Sequence, residues 1–202
     1  MRFPSYGAAG VLTVCLLSAP ALANIAGTVG YSGKSNMTCI TSGCHSGGAA
    51  PTVELSGPTS LAAGATGQYT LIIRGGAGVK GGMNVAVDNT AASLAAGSGL
   101  RKAMNELTHS VPKSFSNGEV RFDFSMVAPP SAGTVNIFGA GNSVNGNGTE
   151  AGDGSAATSL AVTVTGSNEP KEETGGCSST GGAPVLVFAL AAGMTLLRRR
   201  RS

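Results

Sequence analysis

The chain has 202 residues, of which 42% are hydrophobic but only 11% charged and 4% aromatic, with 32 glycines and no tryptophan. That composition excludes a charged helical bundle and suits short strands joined by many turns. The formal charge of +3 sits at the ends: Arg2 and Arg198–Arg201 supply five of the thirteen basic residues, and between Asn24 and Cys177 eight basic residues face ten acidic ones, a net of −2. The body of the chain lacks the basic surface that nucleic-acid binding requires, so no nucleic acid is expected as a partner.

Residues 1–23 read as a signal peptide. Arg2 gives a positive start, Ala8 to Leu17 form an apolar run, and Ser18-Ala19-Pro20-Ala21-Leu22-Ala23 ends in an A-x-A cleavage site. Cys15 lies inside the run behind Val14 rather than behind the small residue of a lipoprotein signal, and is given no role. Export places the mature chain in an oxidising compartment.

Residues 24–50 form a cysteine/histidine loop segment. Asn24 to Lys34 is rich in Gly and Ser, and Cys39-Ile40-Thr41-Ser42-Gly43-Cys44-His45 follows. Two cysteines followed at once by a histidine is the pattern of covalent haem c attachment, although the usual spacing leaves two residues between the thiols and here there are four. On the haem reading Cys39 and Cys44 form thioethers and His45 binds iron. His109, the only other histidine and 64 residues on, becomes the second axial ligand. Met104 and Met37 are the next choices for that position. Two further readings stay open. In an oxidising compartment Cys39 and Cys44 can close a small disulfide loop, or Cys39, Cys44, His45 and His109 can together bind zinc.

Residues 51–166 carry the pattern of a β-sandwich. Period-two alternation marks Thr52–Leu55, Gln68–Arg74, Met83–Asp88, Ser93–Ala95, Glu119–Met126, Thr134–Phe138 and Thr158–Thr165, each bounded by Gly, Pro or Asn. About seven such strands predict a single all-β antiparallel sandwich. Its inward faces supply Val53, Leu55, Leu71, Ile73, Val85, Val87, Val120, Phe122, Phe124, Val135, Ile137, Leu160, Val162 and Val164 as a core. Leu100 to Leu107 admits a turn or two of helix leading into His109. Gly141 to Asp153, dense in Gly and Asn, reads as a tight loop, with Ca²⁺ coordination by Asp153 and asparagine oxygens as the functional alternative.

Residues 167–176 read as a polar linker. Residues 177–202 combine Cys177, an apolar run from Ala183 to Leu197 and the terminal arginines, which predicts a short hydrophobic helix. From Gly175 to Ser202 the sequence resembles the MYXO-CTERM sorting tail of myxobacterial exported proteins. That resemblance implies cutting by a sorting protease near Cys177, with lipidation of Cys177 consistent with it, and attachment of the protein to the membrane at the cell surface.

From Ser35 to Thr165 the chain resembles the choice-of-anchor V domains, distant relatives of reeler domains. The resemblance is carried by Cys39 to His45 with the glycines after them, Thr108-His109, Phe122-Asp123-Phe124 leading to Ala128-Pro129, and Gly141 to Gly148 with Gly152-Asp153. It implies an exported β-sandwich held at surfaces by varying tails, often with a haem-attachment-like cysteine motif; it does not imply a catalysed reaction. The chain also has no serine-nucleophile motif, phosphate loop or HExxH, so no catalytic residue is expected. The expected function is that of an exported haem c protein of the cell surface, in electron transfer or redox sensing with an unidentified redox or surface partner. The alternative is an adhesion module with a Cys39–Cys44 disulfide.

Overall fold

The computed structural model describes residues 25–41 and 45–167. The expected signal peptide, linker and sorting tail, together with Cys44 and Cys177, lie outside the described residues.

Among the described residues the chain forms strands and no helix. In chain order they are β1 (Ser46–Gly47), β2 (Thr52–Ser56), β3 (Ser60–Ala62), β4 (Thr66–Arg74), β5 (Lys80–Val87), β6 (Ser93–Ala96), β7 (Leu100–Ala103), β8 (Glu106–His109), β9 (Lys113–Ser114), β10 (Glu119–Val127), β11 (Ser131–Val144) and β12 (Ala151–Ser167). The seven expected strands are all present as β2, β4, β5, β6, β10, β11 and β12, joined by five short ones.

Two sheets face each other. The smaller runs β2-β4-β10-β6; the larger runs β1-β12-β11-β5-β8-β7, with β3 also on β12 and β9 also on β5. Pairing is antiparallel except where β1 and β3 join β12 in parallel. Alternation decides which face is inside. Strand β4 turns Tyr69, Leu71 and Ile73 inward, and β10 turns Val120, Phe122, Phe124 and Met126 inward. They meet Met83, Val85 and Val87 of β5, Leu107 of β8, Val135 and Ile137 of β11, and Val162 and Val164 of β12. Each such aliphatic or Phe side chain contributes roughly 1.5–3 kcal/mol when fully buried, so these strands hold a core without a cross-link.

Leu71 and Ile73 of the smaller sheet pack directly over glycines of β11. A β-carbon on Gly139 would stand 2.7 Å from Leu71 Cδ1, and one on Gly141 2.6 Å from Ile73 Cγ1. Those small residues are inward-facing strand positions. The Gly/Asn stretch is therefore only partly a loop: Gly141–Val144 completes β11, residues 145–150 turn, and β12 starts at Ala151. The Leu100–Leu107 segment corrects the helical expectation. It is the β7–β8 hairpin, turned at Met104 (φ 54°). Its residues favour helix, but Leu107 gains a fully buried place opposite Val85, and that burial outweighs a weak local propensity.

The outer face of the larger sheet is also covered. Every residue of β5 from Gly81 to Val87 is buried, including Asn84 and Ala86, which alternation turns away from the core. The cover is the segment that precedes β1. Asn84 Nδ2 donates to the Thr28 carbonyl, Lys34 Nζ to the Val87 carbonyl at 2.7 Å, and Arg101 to the carbonyls of Ala26 and Gly27 at 3.0 and 2.9 Å. Further along the chain His45 immediately precedes β1.

Candidate functional site

The site grows from three neighbouring strands, β5, β11 and β12. Register places Gly82 opposite Asn142 and Asn142 opposite Ser155, all on the outer face, with Asp153 two residues along from Ser155 on that face. His109 comes in from one side of this row and His45 from the other.

His45 immediately precedes β1. That strand pairs with β12 through Ser46↔Ala151 and Gly47↔Asp153, and Gly48 N–H donates to the Asp153 carbonyl at 3.0 Å. The pairing sets the His45 ring against Asp153, with Nδ1 2.8 Å from Oδ2. The Asp153 side chain is 2% exposed and that of His45 13%. The other carboxylate oxygen of Asp153 accepts the Asn145 backbone N–H at 2.9 Å. The loop that supplies this N–H is braced by its own side chains: Asn145 Oδ1 accepts from Asn147 N–H, and Asn147 Oδ1 from the N–H and hydroxyl of Thr149.

His109 ends β8, at the point where the ladder to β5 runs out of backbone partners. Side chains replace them. Met83 N–H lies 3.0 Å from His109 Nδ1, and Thr108 Oγ1 donates to the Met83 carbonyl at 3.2 Å, which is also 3.3 Å from Nδ1. The ring is 8% exposed and packs on Gly82. Burial pushes its pKa below the usual histidine value; the Met83 backbone contact opposes this, and the charges of Arg101 and His45 lower it further. The imidazole is therefore neutral near pH 7.

Between the two histidines stand two buried polar atoms without a hydrogen-bond partner among the described residues, Asn142 Oδ1 and Ser155 Oγ. Leaving such an atom unsatisfied costs about 1–3 kcal/mol, so the site holds unused capacity to bind a polar atom or a water.

The other expected site residues fall as follows. Cys39 is half-buried in a turn closed by Thr41 N–H to the Thr38 carbonyl at 3.0 Å. Met37 is exposed, and Met104 stands 86% exposed at the β7–β8 tip. No cluster of three or more His, Cys, Asp or Glu side chains arranged for a metal forms among the described residues. Both oxygens of Asp153, the proposed Ca²⁺ ligand, are engaged by His45 and Asn145. Sequence reasoning marked Asp153 only through its Asn/Gly neighbours. Asn142 was marked in the same way, within the Gly141–Asp153 stretch, whereas the pairing of Asp153 with His45, 108 residues away, and the place of Ser155 left no sequence signal.

No family profile and no curated protein matches the chain. Among solved structures it is similar to the PKD domain of an M14-like peptidase from a Thermoplasmatales archaeon, at 17% identity and TM-score 0.35 over 57% of this chain and 96% of that one. It is also similar to BslA, a bacterial hydrophobin, at 12% identity and TM-score 0.31 over 59% of this chain and 98% of that one.

Proposed function

We propose that this β-domain is an exported, surface-displayed carrier of one c-type haem, serving electron transfer or redox sensing rather than catalysis. Cys39 and Cys44 would hold the macrocycle through thioethers, and His45 and His109 would hold its iron. The observation that supports the reading is that the chain's only two histidines both stand on the outer face of one sheet, His109 over Gly82 and His45 against Asp153, at the two ends of the Gly82–Asn142–Ser155 row.

The residues present fit such a group. His109 is held neutral, as a nitrogen ligand must be. The orphaned Asn142 and Ser155 oxygens leave polar capacity beside the histidines. When bound, the haem would supply a one-electron couple. The chain's part is to hold the two rings, exclude water through the layer of residues 25–41, and keep Asp153 behind His45. The C-terminal segment would tether the domain to the membrane at the cell surface after a sorting protease acts near Cys177.

The test is the full chain produced with export and haem-attachment machinery. A Soret band, a covalent mass addition, and loss of the low-spin spectrum in both His45→Ala and His109→Ala are expected. Absence of the Soret band, with a mass corresponding to a Cys39–Cys44 disulfide, overturns the proposal in favour of a non-enzymatic adhesion module.

A further inference from the structure

We infer that Asp153 is a positioning residue that locks His45 into the tautomer with its proton on Nδ1, leaving the Nε2 lone pair as the donor. The inference deepens the reading of His45 as an iron ligand, and its use for ligation rests on that reading. The Asp153 carboxylate is buried, its side chain 2% exposed. Oδ1 is already committed to the Asn145 backbone N–H, a donor that cannot reverse its sense. Oδ2 faces His45 Nδ1 at 2.8 Å. A carboxylate only accepts, so Nδ1 must carry the proton and the neutral ring must present its lone pair at Nε2. A buried carboxylate behind a ligating histidine is the arrangement that fixes ring orientation and raises donor strength.

His109 has no such lock. Its Nδ1 meets both the Met83 N–H, at 3.0 Å, and the Met83 carbonyl, at 3.3 Å, and so can accept from one or donate to the other. The two histidines are therefore unequal: His45 is fixed as a donor, whereas His109 must choose.

The isosteric change Asp153→Asn separates this from a packing role. Asn145 N–H claims the amide oxygen, the amide NH₂ then faces His45, and Nδ1 is forced to accept. The proton moves to Nε2 and the lone pair there is lost. Two-bond ¹H–¹⁵N imidazole correlations on the full chain made without haem, at a pH where His45 is neutral, read this directly. Nδ1–H is expected in the wild type and Nε2–H in Asp153→Asn, with an otherwise preserved amide spectrum. Nε2–H in the wild type, or an unchanged tautomer in a folded Asp153→Asn, overturns the inference. Should the variant not fold, the wild-type tautomer decides alone. In haem-loaded protein, added imidazole should displace His45 at a roughly ten- to hundredfold lower concentration in Asp153→Asn. A chain that shows no Soret band but a locked Nδ1–H would remove the haem proposal while leaving Asp153 its positioning role.

Discussion

The His109 ring rests on Gly82: a β-carbon there would stand 2.5 Å from Cε1, 2.9 Å from Nδ1 and 3.0 Å from Nε2. Glycine at this strand position is thus set by the imidazole above it. Gly82→Ala should push the ring off the sheet and break its contact with Met83. The expected cost is about 1–3 kcal/mol of overpacking in chemical denaturation. The companion variant Gly82→Ala/His109→Ala should recover most of it, since the two residues oppose each other directly.

His109 also gives the domain a pH dependence. Its folded pKa lies below the unfolded value of about 6.5. The unfolded chain therefore takes up the proton first as pH falls, and folding stability drops from about pH 6.5 downward until the folded ring also protonates. The contribution is fully present above the unfolded pKa. Denaturation midpoints of the haem-free chain between pH 7.5 and 5 should show this fall, and His109→Gln should flatten it. Glu119, whose pKa is lowered by Arg121 and Arg74, titrates in a more acidic window, below its usual value of 4.5, and does not confuse the reading.

Leu71 and Gly139 offer a coupled pair across the two sheets. Leu71→Ala should cost about 2–5 kcal/mol by opening a cavity, and Gly139→Ala should cost about 1–3 kcal/mol by striking Leu71 Cδ1. The double variant should be more stable than the sum of the two losses predicts, because the new methyl enters the space that Leu71 vacates. A double-mutant cycle measured by urea denaturation checks the sign.

Ser155 tests whether the buried row between the histidines is dry. Its hydroxyl has no hydrogen-bond partner among the described residues. Removing an unsatisfied hydroxyl is neutral or favourable, so Ser155→Ala should leave the haem-free chain unchanged or raise its stability by about 1 kcal/mol. A loss of similar size would show instead that a bound water or ligand satisfies Ser155.

The strands were legible where one face meets the core and the other meets solvent. Glu119–Met126 alternates in sequence and alternates in burial. The reading failed where both faces are covered or where pairing is brief. Strand β5 extends back through Gly81 and Gly82, and the start of β12 is built from Ala, Gly and Ser, because layers press on both sides of them. Strands β1, β3 and β9 are two or three residues long, too short to show a period. The hairpin tip at Met104 was hidden among helix-forming residues. His45 and His109 were each visible as reactive residues. Their common placement, and the roles of Asp153 and Gly82, depend on strand register and on a loop crossing the sheet, which no local pattern encodes.

Strand β12 is seventeen residues long. An uncovered strand of that length would invite another molecule to add a strand of its own. Two short parallel partners shorten the open rim: β1 occupies it beside Ala151 and Asp153, and β3 occupies it beside Thr163 to Thr165. At the opposite rim β7 presents Arg101 and Lys102 to solvent. The same chain segment that carries His45 to the sheet thus also closes one end of its longest rim against self-association. Displacing β1 should favour strand-to-strand polymerisation as well as loosening the histidine.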